Sequence, residues 1–166
     1  DFVRAKVAEG QEPWKAAWEA LRREPVSGLT WKPKPAADVV RGPYNTPDIG
    51  GTDLMRDAAA AYAHAIQWHV TGERAHADKA IEILNAYATR LKSIGGHDAK
   101  LLAGMVGINF ANAAEIIRHT SAGWNAAEQQ AFTLLLRNLF YPIIKDFYPT
   151  ANGNWDAAMI QTMLAL

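Results

Sequence analysis

Two stretches of this sequence, residues 58–70 and residues 101–114, contain no Asp, Glu, Lys or Arg, yet both carry helical patterning. The helical segments between and after them are rich in charge, and this alternation constrains the fold more than any other feature. A helix that is apolar all round must be covered on all sides, whereas an amphipathic one can face water. The segment with Glu73, Arg74, Asp78, Lys79, Glu82, Arg90 and Lys92 therefore reads as an outer helix, as does the one with Glu128, Arg137, Lys145 and Asp146. Antiparallel hairpins that alternate inner and outer helices build either a solenoid or a closed double ring, the α/α toroid. No repeat of fixed length is visible, which disfavours a regular solenoid. The expected fold is all-α, an incomplete α/α toroid in which residues 1–166 form one domain and the first half of the ring.

The individual helices follow from spacing. Trp14, Ala17, Trp18 and Leu21 recur on one face behind Pro13, which suits a first helical position. Leu54, Ala58, Tyr62, Ile66 and Val70 recur every four residues, with Thr52 as the expected cap and Asp53 near the positive end of the dipole. Ala77, Ile81, Leu84, Ala88 and Leu91 form the next stripe, closed by Gly95 and Gly96. A further helix is expected over about residues 99–119, and another opens on Asn125 and Glu128, spaced as a capping box, with a kink at Pro142. The last starts near Asn154 and is still running at Leu166, so the chain reads as a fragment of a larger domain. Residues 25–51 hold five of the eight prolines and read as a long, lid-like loop.

Composition excludes several function classes. Seventeen Lys plus Arg balance seventeen Asp plus Glu, so no global field draws the chain to nucleic acid or to a membrane surface. The absence of cysteine removes disulfides, thiolate metal sites and a cysteine nucleophile. The uncharged stretch at residues 101–114 is shorter than the roughly 20 residues a membrane span needs. There is no phosphate loop, GxSxG elbow or dinucleotide fingerprint. His64 and His69 are not four residues apart and no HExxH is present, so no metal and no cofactor are expected.

In a double ring the inner helices aim their ends at a central cleft, which singles out Tyr148-Pro149-Thr150-Ala151-Asn152-Gly153-Asn154-Trp155-Asp156. One reading is a helix cap, with Asn152 or Asn154 satisfying the first amides and Trp155 in the core. The other uses the Asn amides to donate to a substrate oxyanion beside an aromatic platform for a sugar face. The long loop offers Trp31, Lys32, Lys34, Arg41 and Tyr44, either a solvated surface or a lid over an anionic chain. Asn112 and Asn109 stand in an apolar helix, either buried and satisfied or lining the cleft. His76 and His119 read as surface or helix-end residues, and each of the five histidines, His97 included, reads as structural before catalytic. Among Asp48, Asp53, Asp57, Asp98 and Asp156 no spacing singles out a hydrolytic pair.

The chain resembles the alginate lyase superfamily of polysaccharide lyases. The resemblance is carried by the stretch from Tyr148 to Ala165, supported by residues 40–44, 56–65, 79–86 and 110–118. It implies an α/α toroid that cleaves a uronic acid polymer, alginate or a related polyuronate, by β-elimination. Asn154 and Asn152 would then neutralise the uronate carboxylate, and Arg41, Tyr44, Trp155, Asn112 and Tyr148 would line the substrate site. The family's catalytic base and acid would lie beyond Leu166, so this stretch by itself is expected to be inactive. An anionic polysaccharide is the expected partner, with no nucleic acid and no membrane. The abrupt start at Asp1 fits a removed leader and a periplasmic or secreted protein. A non-catalytic carbohydrate-binding or scaffold domain and a toroid glycoside hydrolase are the competing functions.

Overall fold

Charge alternation along the chain becomes two rows of helices in the computed structural model, which describes residues 2–146 and 153–166. The helices are α1 (Phe2–Ala8), α2 (Trp14–Arg23), α3 (Gly51–Thr71), α4 (Arg74–Arg90), α5 (Ala99–Arg118), α6 (Ala126–Leu135), α7 (Tyr141–Ile144) and α8 (Asn154–Ala165). The all-α class is as expected. In the inner row α3 packs on α5 and α5 on α8; in the outer row α4 covers α3 and α6 covers α4. The helices that contain the uncharged stretches, α3 and α5, are the most buried, while α4 buries one stripe that includes His76, Ala80, Ile83, Leu84 and Tyr87. By length and composition α5 could cross a membrane, but most of it is buried inside the fold, which accounts for its composition. The rows are sealed by Tyr87, Phe110, Phe132 and Phe140, each almost fully buried, with Phe110 meeting the other three rings at 5.1 to 6.3 Å. Each such side chain contributes about 1.5–3 kcal/mol through burial.

The inner helices run parallel. Gly104 of α5 faces Ala158 and Met159 of α8, and one turn on, Gly107 faces Thr162. A Cβ on Gly104 would lie 2.8 Å from backbone atoms of α8, so glycine is what allows this approach. Thr162 Oγ1 donates to the Gly104 carbonyl at 2.5 Å. The N-terminal ends of α3 and α5 are also adjacent, because Met55 and Met105, each in the second turn of its helix, flank the same guanidinium, that of Arg41. Three helix N-termini thus share one end of the molecule.

A small sheet covers that end, and the sequence did not predict it. Strands β1 (Asp38–Arg41), β2 (Asp48–Ile49) and β3 (Ser93–Gly95) lie in the order β2-β1-β3, with Val39 opposite Ile94 in the parallel pair and Val40 opposite Ile49 in the antiparallel one. The segment 25–51 is therefore no plain loop. It is fastened by the buried Asp57 carboxylate of α3, which accepts from Trp31 Nε1 at 2.8 Å, the Lys34 amide at 2.7 Å and Tyr87 Oη at 2.7 Å. Gln67 donates to the Ser27 carbonyl, and Lys79 to that of Trp31.

Three local expectations are corrected. Thr52 does not cap α3; Gly50 in the left-handed region turns the chain, and the Asp48 carboxylate accepts from both the amide and the hydroxyl of Thr52. Hydrogen bonds from Thr52 hold that carboxyl below its usual range. His76 is buried rather than superficial, its Nδ1 lying 2.8 Å from His64 Nδ1. Pro142 does not produce a simple kink, because a π-helical segment, Leu136–Phe140, joins α6 to α7 immediately before it. Proline lacks the amide that an α-turn would use, and the wider turn accommodates that loss. The capping box at Asn125 and Glu128 forms as read from the sequence.

Candidate active site

At the shared N-terminal end, β1 delivers Arg41 and the turn after β3 delivers His97 and Asp98. Gly96, at φ 91°, packs on the Arg41 backbone so closely that a Cβ there would overlap the Arg41 carbonyl, which accepts from the Asp98 amide at 3.0 Å. The two segments are thereby locked together. Arg41 Nε donates to Asn45 Oδ1 at 2.6 Å and lies 3.8 Å from Asp98 Oδ2, while Nη1 faces the Met55 and Met105 sulfurs. The other Asp98 oxygen, Oδ1, is 2.8 Å from His97 Nδ1. The His97 ring meets the Trp155 ring edge-on, with centroids 5.7 Å apart. Trp155 stands on the first turn of α8 beside the exposed Asn154.

This end of the molecule is electrostatically suited to an anion. The dipoles of α5 and α8 bring partial positive charge there, while at the start of α3 the Asp48 carboxylate already accepts from the Thr52 amide. Among the described residues no side chain caps α8, whose start follows Gly153 at φ 93°; Asn154 is its first helical residue and does not serve as the cap.

The structure unites Arg41, Trp155 and Asn154. Tyr44 sits at the tip of the β1–β2 connection, 99% exposed and at φ 53°. Asn112 is not brought in: it is half-buried on α5, roughly 20 Å along the helix axis from Asp98. Asn152 and Tyr148 lie outside the described residues. The loop cations divide, with Lys32 and Lys34 joining Trp31, Asp53 and Arg56 around a separate cavity of about 390 Å³, where the Arg56 guanidinium lies 5.1 Å over the Trp31 ring. Another cavity, of about 360 Å³, is lined by the C-terminal half of α5, α6 and the end of α8, away from the polar cluster. Asp98, His97 and Asn45 were missed as site residues; the available signal was the Gly95-Gly96 pair, which permits the close turn just before His97 and Asp98.

A family model described as alginate lyase matches residues 4–166. The chain belongs to the alginate lyase family. No curated protein and no solved structure shows a significant match. Membership marks this as a domain of the polysaccharide lyase kind, with a polysaccharide as its class of substrate. The whole polar cluster of this alginate lyase family domain, from Arg41 to Trp155, falls within the matched residues.

Proposed function

We propose that the domain binds a polyuronate, alginate or a related polymer, across the shared N-terminal end of α3, α5 and α8 and contributes to its cleavage by β-elimination. The observation that carries this reading is the convergence there of three helix N-termini with Asn154, Trp155 and Arg41. The C5 proton of a uronate becomes acidic enough to remove only when the adjacent carboxylate is neutralised. In this reading Asn154 donates to that carboxylate, with Asn152 beside it in sequence. Trp155 walls the sugar, Arg41 supplies fixed positive charge, and Tyr44 reaches a neighbouring sugar from the turn tip. The two helical rows are read as part of an α/α toroid, and the protein as periplasmic or secreted.

The test is the ultraviolet absorbance of unsaturated uronate, measured with the full-length protein on alginate, glucuronan and a neutral glucan. Product is expected from a polyuronate and not from the glucan, and Asn154→Ala should lower the rate by about 10²–10³-fold. New reducing ends without unsaturation would make the protein a hydrolase. Binding without any product would make it a carbohydrate-binding domain.

A further inference from the structure

The resemblance implies a base beyond Leu166, yet a side chain within the matched residues has geometry suited to the same task. Asp98 is buried and its Oδ1 lies 2.8 Å from His97 Nδ1. An ionised carboxylate can only accept, so Nδ1 carries the proton in that bond and Nε2 is left as the basic nitrogen. Asp98 is itself held: its amide bonds to the Arg41 carbonyl, and its Oδ2 lies 3.8 Å from Arg41 Nε. The imidazole is therefore oriented from behind by a fixed group while its side chain remains 54% exposed. Its other neighbour is the Trp155 ring, which places it beside Asn154 on the same turn of α8. Among the described residues, Asp98 just before α5 touches it and Arg41 from β1 stands behind Asp98, while α8 contributes the uncharged Trp155 ring.

We infer that His97 is the general base that removes the C5 proton of the bound uronate, oriented by Asp98 and Arg41. This rests on the β-elimination reading above. The C5–H bond breaks and its proton moves to His97 Nε2. Its electron pair forms the C4=C5 double bond, and the C4–O4 pair leaves with the glycosidic oxygen. That oxygen takes a proton from water, and the imidazolium returns its proton to the hydroxide so formed. Asp98 and Arg41 act here as positioning residues.

The experiment uses the full-length protein and the polyuronate on which it is active, following unsaturated product. His97→Gln should lower kcat by about 10²–10⁴-fold with KM changed less than about threefold, and should remove the acid limb of the kcat profile. Imidazole added to His97→Ala should restore part of the lost rate, and Asp98→Asn should lower kcat while the acid limb persists. An unaltered thermal midpoint in His97→Gln confirms the fold. A wild-type kcat in His97→Gln, or a retained acid limb with no imidazole rescue, overturns the assignment while leaving the lyase reading intact. Absence of unsaturated product from the wild type on every polyuronate overturns both.

Discussion

Arg41 and Asp98 join the sheet to the inner helices: the Asp98 amide donates to the Arg41 carbonyl at 3.0 Å, and Arg41 Nε stands 3.8 Å from Asp98 Oδ2, with both side chains largely screened from water. Removing the carboxylate leaves an enclosed guanidinium facing mostly sulfur and a His97 ring without its acceptor. Asp98→Ala is expected to lower stability by about 2 kcal/mol, in the range for stranding a buried polar partner. Arg41→Met should cost less, because Asp98 keeps His97. A double-mutant cycle by urea denaturation should return a coupling of about 0.5–1 kcal/mol; a value near zero would show that the backbone bond alone holds the two segments.

Asp57 is the fastener of the 25–51 segment, accepting from Trp31, Lys34 and Tyr87. Asp57→Ala strands the indole and phenol donors together and is expected to cost about 3–5 kcal/mol. The Trp31 environment should become more aqueous, read as a red shift in tryptophan emission relative to Trp31→Phe. The same contact governs alkaline behaviour. Burial first, then the Asp57 carboxylate, pushes the Tyr87 phenol far above its ordinary value of 10.0. A folded pKa raised above the unfolded one means stability is full below the unfolded value and falls as pH climbs past it.

What the sequence disclosed, and what it hid, divides along physical lines. Charge distribution revealed the inner and outer rows because covering a helix on all sides is a property of the whole segment, and α3 and α5 show it over many residues. The strands stayed hidden because β2 has two residues and β1 four, too few for an alternating pattern to register. Arg41 was legible as a cation, but its enclosure depends on Asp98, which only the fold brings near. His76 was readable and missed: it lies on the inward stripe with Ala80, Ile83 and Tyr87, but the adjacent Glu73 and Arg74 suggested a surface position. Thr52 reads as a cap because threonine often is one; the left-handed turn at Gly50 that brings Asp48 into that role has no pattern of its own.

The His64–His76 pair makes the fold acid-sensitive. His64 is fully buried, and desolvation, helped by His76 and then Lys79, lowers it to about 4; His76 is lowered too, by burial, with Glu73 opposing and Arg22 reinforcing. The unfolded chain takes up these protons near 6.5, the folded chain only at lower pH. Stability is therefore full above pH 6.5 and falls as pH drops from there toward about 4, at up to about 1.4 kcal/mol per pH unit per group. Urea midpoints measured through this window should decline steeply in the wild type and shallowly in His64→Leu/His76→Leu. Parallel declines would assign the acid sensitivity to other groups.

Gly104 and Gly107 set how near α8 comes to α5, and through it where Asn154 and Trp155 stand. A Cβ at Gly104 would lie 2.8 Å from the Ala158 carbonyl carbon and the Met159 amide nitrogen, backbone atoms that cannot rotate aside, whereas at Gly107 it would meet the Thr162 side chain. Gly104→Ala must therefore push α8 outward, at a cost of about 1–3 kcal/mol. It also weakens the Thr162 bond to the Gly104 carbonyl. The His97 contact with Trp155 opens as α8 shifts, so turnover of the full-length protein is expected to fall by more than the loss of folded molecules explains. Gly107→Ala, whose obstacle is a side chain, should cost less in stability and leave turnover nearer the wild type. Comparing active-site-normalised rates for the two variants separates the effects: equal losses would mean that the spacing of α5 and α8 does not control the site.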